Sequence, residues 1–230
     1  MTEEIKTTAL YRWPAAARFG RVVPKTKFYE HGNVRAAIRE KFVDDIRRIT
    51  WAYKLAESTT RLKGTDAVPE IQVFTVETKG GDVGDDLLAA IDNSVHFPII
   101  FEVSRGDEVR MVAAHKALDG TGPKVGAYFT TAWLHADASR VTLPTAIDLP
   151  TLYESLVTTL LPFALRRGES VSAATGRMDR AHTVEREIAR LERRLRNEPQ
   201  FNRKVQLRHQ LLERSAELDE LTSVRPKTEG

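Results

Sequence analysis

The hydrophobic period changes within residues 34–55, and this change limits what the chain can fold into. From Val34 to Ile49, apolar residues recur every three or four positions, which predicts a helix with one buried face. From Ile49 to Leu55 they alternate with polar or small residues, which predicts a strand. Trp51 and Tyr53 would share one strand face with Ile49 and Leu55, so we expect both aromatic rings in the core. A helix that leads directly into a strand indicates a mixed α and β protein.

Four more segments have the composition of strands, and turn residues separate them. They are 71–78, 96–103, 109–116 and 125–134, and the third follows a short Arg-Gly-Asp turn typical of a hairpin. We therefore predict an α+β domain over residues 10–168. Its sheet would be mostly antiparallel, with about five strands and with helices packed on one side.

The C-terminal part of the chain has a different character. Small polar residues predict a hinge at 169–180, and two helical seams broken at Pro199 predict an antiparallel, coiled-coil-like hairpin at 181–222, followed by a tail at 223–230. Residues 182–221 contain nine basic and eight acidic side chains, so this near balance favours a protein partner, or self-association, over DNA. The candidate partner-binding residues are Leu191, Leu195, Val205, Leu211 and Leu218.

Composition excludes several classes of protein. The chain has no cysteine, which excludes disulfides and cysteine-based zinc sites. Its longest apolar run, 156–165, is interrupted by Pro162 and is too short for a bilayer of roughly 30 Å. The first ten residues lack the apolar core of a signal peptide, so we expect a cytoplasmic protein.

Positive charge is concentrated near the N-terminus. Residues 12–54 contain eleven basic and four acidic side chains, a formal charge of +7, whereas the whole chain carries +3. Such a segment can meet phosphate or an acidic protein surface, or it can be an ordinary solvated face. The cations we select as a possible nucleic-acid or phosphate surface are Lys25, Lys27, Lys54 and Lys116.

One short pattern suggests catalysis. Glu77 and Lys79 form an acid-x-lysine pair at a strand end, and Asp66 in the preceding loop could supply a second carboxylate for Mg²⁺. The alternative is that these are ordinary charged residues at the end of a strand. No histidine pair has metal-binding spacing and no phosphate-binding glycine loop is present, so we predict no metal site and no cofactor.

A series of segments along the chain resembles one protein family. These segments are 23–29, 42–55, 70–74, 88–92, 98–101, 114–116 and 198–204. The family is an uncharacterised bacterial one, a domain of unknown function about 230 residues long. Its genes often lie beside helicase and DNA methyltransferase genes of restriction or phage-defence islands. The resemblance implies no catalytic residues.

Three functions are compatible with these observations. The first is a non-enzymatic accessory or adaptor subunit of a bacterial DNA-modification or phage-defence system, which docks a helicase or methyltransferase through its helical hairpin. The second is a metal-dependent nuclease that uses Glu77 and Lys79. The third is a stand-alone nucleic-acid-binding module, whose binding would weaken with salt.

Overall fold

The computed structural model describes residues 9–29, 34–119, 122–162 and 165–223, and the chain divides into two compact units, 1–162 and 163–230. Of the predicted tail, only Ser223 lies inside the described residues. The elements of the first unit are β1 (Leu10–Tyr11), a 3₁₀ turn (Ala15–Ala17), β2 (Arg18–Val22), α1 (Thr26–Tyr29), α2 (Ala36–Asp44), β3 (Ile46–Ala56), α3 (Glu57–Thr60), β4 (Glu70–Thr78), α4 (Asp85–Ser94), β5 (Ile99–Arg105), β6 (Glu108–Asp119), β7 (Gly122–Thr130), β8 (Leu134–His135), β9 (Arg140–Val141) and α5 (Leu149–Thr158). The second unit contains α6 (Val171–Asn197) and α7 (Phe201–Thr222).

The main sheet has seven strands in the order β2-β3-β4-β5-β6-β7, with β8 paired to β6. Every pair in it is antiparallel except β4 with β5, which α4 connects as a crossover. The prediction of a mixed, mostly antiparallel fold is confirmed, but the sheet is larger than the five strands expected. The extra strands are β2 and β8. All five residues of β2 are exposed at the edge of the sheet, so they lack the apolar alternation that identifies a buried strand.

Both faces of the sheet are covered, whereas the sequence predicted helices on one side. Phe74 and Val76 of β4 pack in one cluster with Leu87, Leu88 and Ile91 of α4. Their neighbour Val73 points to the opposite face and is also fully buried. On that second face, α5 contributes Tyr153, whose hydroxyl donates a 2.7 Å hydrogen bond to the carbonyl of Ala114 in β6. The near-continuous apolar runs of β4 and β5 fit a sheet that is covered on both sides.

Two β-bulges in β3 change which side chains share a face. The pairing with β4 shifts between Ile46 and Arg48 and again between Trp51 and Tyr53. Trp51 therefore stacks on Phe74 in the α4 cluster, with ring centroids 6.1 Å apart, whereas Tyr53 packs against Trp13 at 6.1 Å. The expectation that Trp51 and Tyr53 share a face was wrong, because each bulge inserts one residue and reverses the alternation beyond it.

The first bulge also explains why the predicted helix ran too far. α2 ends at Asp44, and Ile46 and Ile49 belong to β3 although their spacing of three residues resembles a helix. Both are buried in the α4 cluster, because the extra residue of the bulge brings positions three apart onto one face of the strand.

The second unit is an antiparallel helical hairpin, as predicted. Arg180 near the start of α6 pairs with Glu217 near the end of α7 at 2.6 Å. Residues 171–180, predicted as part of a hinge, form the first turns of α6. Ser170 caps this helix by accepting a 3.1 Å hydrogen bond from the Ala173 amide. The small residues of this segment are compatible with a helix, and its buried positions recur every three or four residues.

Candidate functional site

The structure places Lys116, one of the four predicted phosphate-binding cations, inside the first unit. Its side chain is fully buried, and its ammonium donates hydrogen bonds of 2.8, 2.8 and 2.9 Å to the carbonyls of Asp92, Val95 and Phe97. It also forms an ion pair with the carboxylate of Asp92, which accepts a 3.0 Å hydrogen bond from Tyr128. Lys116 therefore binds the carbonyls at the C-terminal end of α4, where a positive charge is favourable, and it is not part of a surface.

Burial shifts the titration of this buried pair in opposite directions. It lowers the pKa of the Lys116 ammonium and raises the pKa of the Asp92 carboxyl, since each charge has left water. The opposite charge of the partner offsets part of each shift. Because the ammonium has acceptors on several sides, the arrangement is that of a structural clamp on α4.

Two other predicted cations lie apart from each other and from any common pocket. Lys54 is near the end of β3 and pairs with Glu70 at 2.6 Å. Lys27 is exposed on α1. The predicted surface of four lysines is therefore not formed. Of the four lysines, only Lys25 lies beside other positive charges that lack a carboxylate partner, such as Arg47.

A basic pocket occupies the end of the sheet where β3 begins and β4 ends. We use this name for the site formed by Lys25, Arg47, Arg48, Glu77 and Lys79. An open pocket of about 620 Å³ lies against the first four of these residues, and a second of about 320 Å³ lies against Arg47, Glu77 and Lys79. The cations come from three places in the sequence and meet only in the folded chain.

The antiparallel pairing of three strands brings these residues together. Arg48 lies opposite Glu77 in the register of β3 and β4, and the amide of Lys79 donates a 2.8 Å hydrogen bond to the carbonyl of Asp45. Lys25 follows β2, whose last residues pair with β3. Arg47 is the unpaired residue of the first bulge. Bulges commonly redirect a side chain beside a functional site, and here the extra residue is a cation that lines both pockets.

The charges of the basic pocket are only partly neutralised. Glu77 is its one carboxylate, and it accepts hydrogen bonds from two nitrogens of Arg48, that from Nε being 2.8 Å long. The ammonium of Lys25 donates to the carbonyl of Ile46. Among the described residues, no acceptor contacts the guanidinium of Arg47 or the ammonium of Lys79. Burial, and to a smaller extent the positive charge of Lys79, lower the pKa of Lys25.

The three nuclease candidates do not converge. Asp66 is exposed in the loop before β4, whereas Glu77 and Lys79 lie at the other end of that strand, which is roughly 25 Å long. Glu77 is ion-paired with Arg48. Within the described parts of the chain, no group of three histidine or acidic side chains could hold a metal ion.

Most of the predicted partner-binding residues lie in the seam of the hairpin. Leu191, Leu195, Leu211 and Leu218 are half-buried, and among the predicted set only Val205 is largely exposed, at 49%. Phe201 and Leu212 of α7 are exposed as well. These two share a helix face with Val205, since successive positions 201, 205 and 212 are separated by about one and two helical turns.

Sequence reasoning missed the pocket as a unit. Arg47, Arg48 and Lys79 were visible as charges, but their convergence depends on the register of β3 with β4 and on the bulge at Arg47. The sequence did contain a signal in the positions of these residues. Arg47 and Arg48 precede the predicted strand that begins at Ile49, and Lys79 follows the next predicted strand, 71–78. In an antiparallel pair those two ends are adjacent.

Among the described residues, none of the helices combines the length and the apolar character needed to cross a membrane. No curated protein and no solved structure matches the chain. A family model, described as a domain of unknown function (DUF4391), matches residues 12–218, and the chain therefore belongs to this family.

Proposed function

We propose that this protein is a non-enzymatic, cytoplasmic accessory protein that binds the phosphate backbone of a nucleic acid at the basic pocket. One observation carries the proposal. Four cations from three separate parts of the sequence meet at one end of the sheet, and the carboxylate of the pocket, Glu77, is already paired with Arg48. Arg47 and Lys79 have no acceptor among the described residues and are therefore available to a ligand.

The chemistry of the basic pocket suits phosphate better than other anions of similar charge. Arginine presents several N–H donors in a fixed fork that matches phosphate oxygens, and lysine adds a compact charge. The pocket is open rather than enclosed, so it fits a polymer backbone that passes across it. Contacts of this kind position a nucleic acid and carry no base information, so we expect binding with little sequence preference.

The test is the affinity for a labelled duplex DNA, measured by fluorescence anisotropy over a range of salt concentrations. The combined variant Arg47→Glu/Lys79→Glu should weaken binding at least about tenfold and reduce the salt slope by about 2, because two phosphate contacts are lost. The matched control is Arg18→Glu/Lys63→Glu, which makes the same charge change at exposed positions near the opposite end of β3 and β4. Equal losses in both variants would contradict a specific pocket.

A single substitution separates binding from nuclease activity. In the binding proposal, Glu77 competes with phosphate for Arg48, so Glu77→Gln should strengthen DNA binding severalfold. In a metal-dependent nuclease, Glu77 would hold the metal. Cleavage of DNA in Mg²⁺ or Mn²⁺ that Glu77→Gln abolishes would replace the non-enzymatic proposal.

A second candidate function is docking of a protein partner through the hairpin, and one observation favours it. The apolar side chains of Phe201 and Leu212 are 74% and 68% exposed on one face of α7, beside Val205. The partner class follows from the family resemblance, namely a helicase or DNA methyltransferase of a restriction-type system. Co-purification of the full chain with such a protein should be lost in Phe201→Ser/Leu212→Ser. Retention in that variant would reject this surface.

A further inference from the structure

The hairpin carries a strong charge asymmetry along its length. We call residues 186–208, which include the end of α6 and the start of α7, the hairpin tip. The tip has eight basic and three acidic residues, a formal charge of +5. The remaining hairpin residues, 169–185 and 209–222, have three basic and seven acidic residues, a formal charge of −4. The near-neutral total of the hairpin conceals this separation.

The two ends of the hairpin also differ in how their arginines are used. Away from the tip, every arginine forms an ion pair: Arg177 with Glu169 at 2.7 Å, Arg180 with Glu217 at 2.6 Å, and Arg214 with Glu187 at 3.3 Å. Among the described residues, no basic side chain of the tip forms an ion pair. The tip therefore presents its positive charge to solvent.

Four of these arginines form one stripe on α6. Position 190 is four residues from 186 and from 194 and three from 193, so Arg186, Arg190, Arg193 and Arg194 share a helix face, and all four are exposed. Asn197 continues the same face, which is then about 16 Å long. The seam residues Ile188, Leu191 and Leu195 lie on the opposite face of the helix and are half-buried. The stripe therefore faces away from the seam.

We infer that this arginine stripe binds the sugar–phosphate backbone of duplex DNA, as a contact surface separate from the basic pocket. The inference rests on the proposed function only in taking DNA as the ligand. Protein–DNA interfaces are polar and strongly positive, whereas the centre of a protein–protein interface is depleted in charge. No apolar side chain accompanies these arginines on the stripe. An acidic protein is therefore the less suitable partner.

The absence of aromatic residues from the arginine stripe favours duplex over single-stranded DNA as its ligand. Residues 186–197 contain no aromatic side chain, although sequence-tolerant binding of single strands depends on stacking of bases on aromatic rings. A straight row of four arginines about 12 Å long instead matches a rigid line of phosphates. Duplex DNA carries about one charge for every 1.7 Å of its axis, enough to engage all four side chains.

The experiment uses the full chain and a labelled duplex, with a single strand of the same length as a second probe. The variant Arg190→Gln/Arg193→Gln/Arg194→Gln should bind the duplex at least about tenfold more weakly, with a salt slope lower by about 2 to 3. The matched variant with lysine at the same three positions keeps the charge and should retain affinity within about threefold. Circular dichroism of each variant verifies that the helices are intact.

The outcomes separate this inference from the proposed function. Loss of duplex affinity in the glutamine variant but not in Arg47→Glu/Lys79→Glu would support the stripe and reject the pocket. Loss in the pocket variant alone would overturn the stripe. Equal weakening in the glutamine and lysine variants, tighter binding of the single strand than of the duplex, or no binding of duplex by the wild type at low salt would also overturn it.

Discussion

Lys116 shows how a single residue can have the opposite role to the one its charge suggests. It lies in the middle of a strand, and its ammonium is surrounded by three carbonyls and a carboxylate from the end of α4. An ammonium removed from water is tolerated only when such partners replace its hydration shell. Nothing in the strand pattern around Lys116 indicates these partners, because they come from a helix about twenty residues earlier in the sequence.

Replacing Lys116 with methionine should reduce the free energy of unfolding by about 3–5 kcal/mol, because Asp92 is left buried without its counter-charge. Urea denaturation measures the change. Lys54→Met is the matched control, since Lys54 has a partly exposed ion pair with Glu70 and should change stability by no more than about 1 kcal/mol. A loss below about 1 kcal/mol for Lys116→Met would show that the buried pair is dispensable.

Lys25 provides a pH-dependent signature of the basic pocket. Its pKa is lowered by burial and by the charge of Lys79, so it loses its proton earlier than an ordinary lysine as the pH rises. An anion in the pocket favours the protonated form, and affinity for DNA should therefore begin to fall below the pH at which an ordinary lysine loses its proton.

The control for this prediction is Lys25→Arg. Its affinity should fall less steeply than that of the wild type as the pH rises, because arginine keeps its positive charge. Anisotropy titrations at constant ionic strength measure both curves. Identical pH profiles would mean that Lys25 does not contribute to binding.

At the scale of elements, the period of apolar residues was a good guide to helices and buried strands. It located β3 to β7 and both helices of the hairpin, because each of these elements buries one face or both. It failed at β2, which is an exposed edge strand, and at the junction of α2 with β3, where a bulge reproduces helical spacing. Patterns reflect burial, and a bulge changes which residues are buried without changing the composition.

The open end of the hairpin is held by a cluster of two arginines and one glutamate. Arg177 donates to both carboxylate oxygens of Glu169, at 2.7 and 2.8 Å, and to the carbonyl of Leu221 at 2.7 Å. Arg166 donates to the carbonyls of Leu221 and Ser223 at 3.4 and 3.2 Å. Positive charge at the C-terminal end of α7 is favourable for the helix, so the cluster joins the start of α6 to the end of α7.

This cluster should make the hairpin sensitive to acid. Arg177 lowers the pKa of Glu169 from 4.5 to about 2, so the pairing stabilises the fold above pH 4.5 and is lost as the pH falls toward about 2. Arg177→Met should weaken this dependence, because the amide and charge of Arg166 still act on Glu169, and should destabilise the hairpin at neutral pH. Thermal melts followed by circular dichroism at several pH values test both effects. A wild-type melting temperature that does not change between about pH 5 and about pH 3 would contradict the assignment.

At the scale of the whole molecule, the fold class was more predictable than the site. Mixed composition and alternating periods indicated an α+β domain followed by a hairpin, because those features are repeated over many residues. The basic pocket depends on a few particular positions: Arg47 at a bulge, Arg48 opposite Glu77, and Lys79 just beyond β4. A one-residue change of register would separate them, and the two bulges on which this register depends leave no mark in the composition of β3.

The two bulges in β3 also have a consequence for how the chain can change in length. β3 has eleven residues and its partner β4 has nine, and the two unpaired residues, Arg47 and Ala52, account for the difference. Deleting Arg47 or Ala52 would leave the remaining residues of β3 opposite their present partners in β4, whereas deleting a paired residue such as Ile49 would move neighbouring side chains to the opposite face. We therefore expect β3 to retain its fold on loss of Arg47 or Ala52 more readily than on loss of a paired residue, and length changes among homologous chains to occur at these two positions.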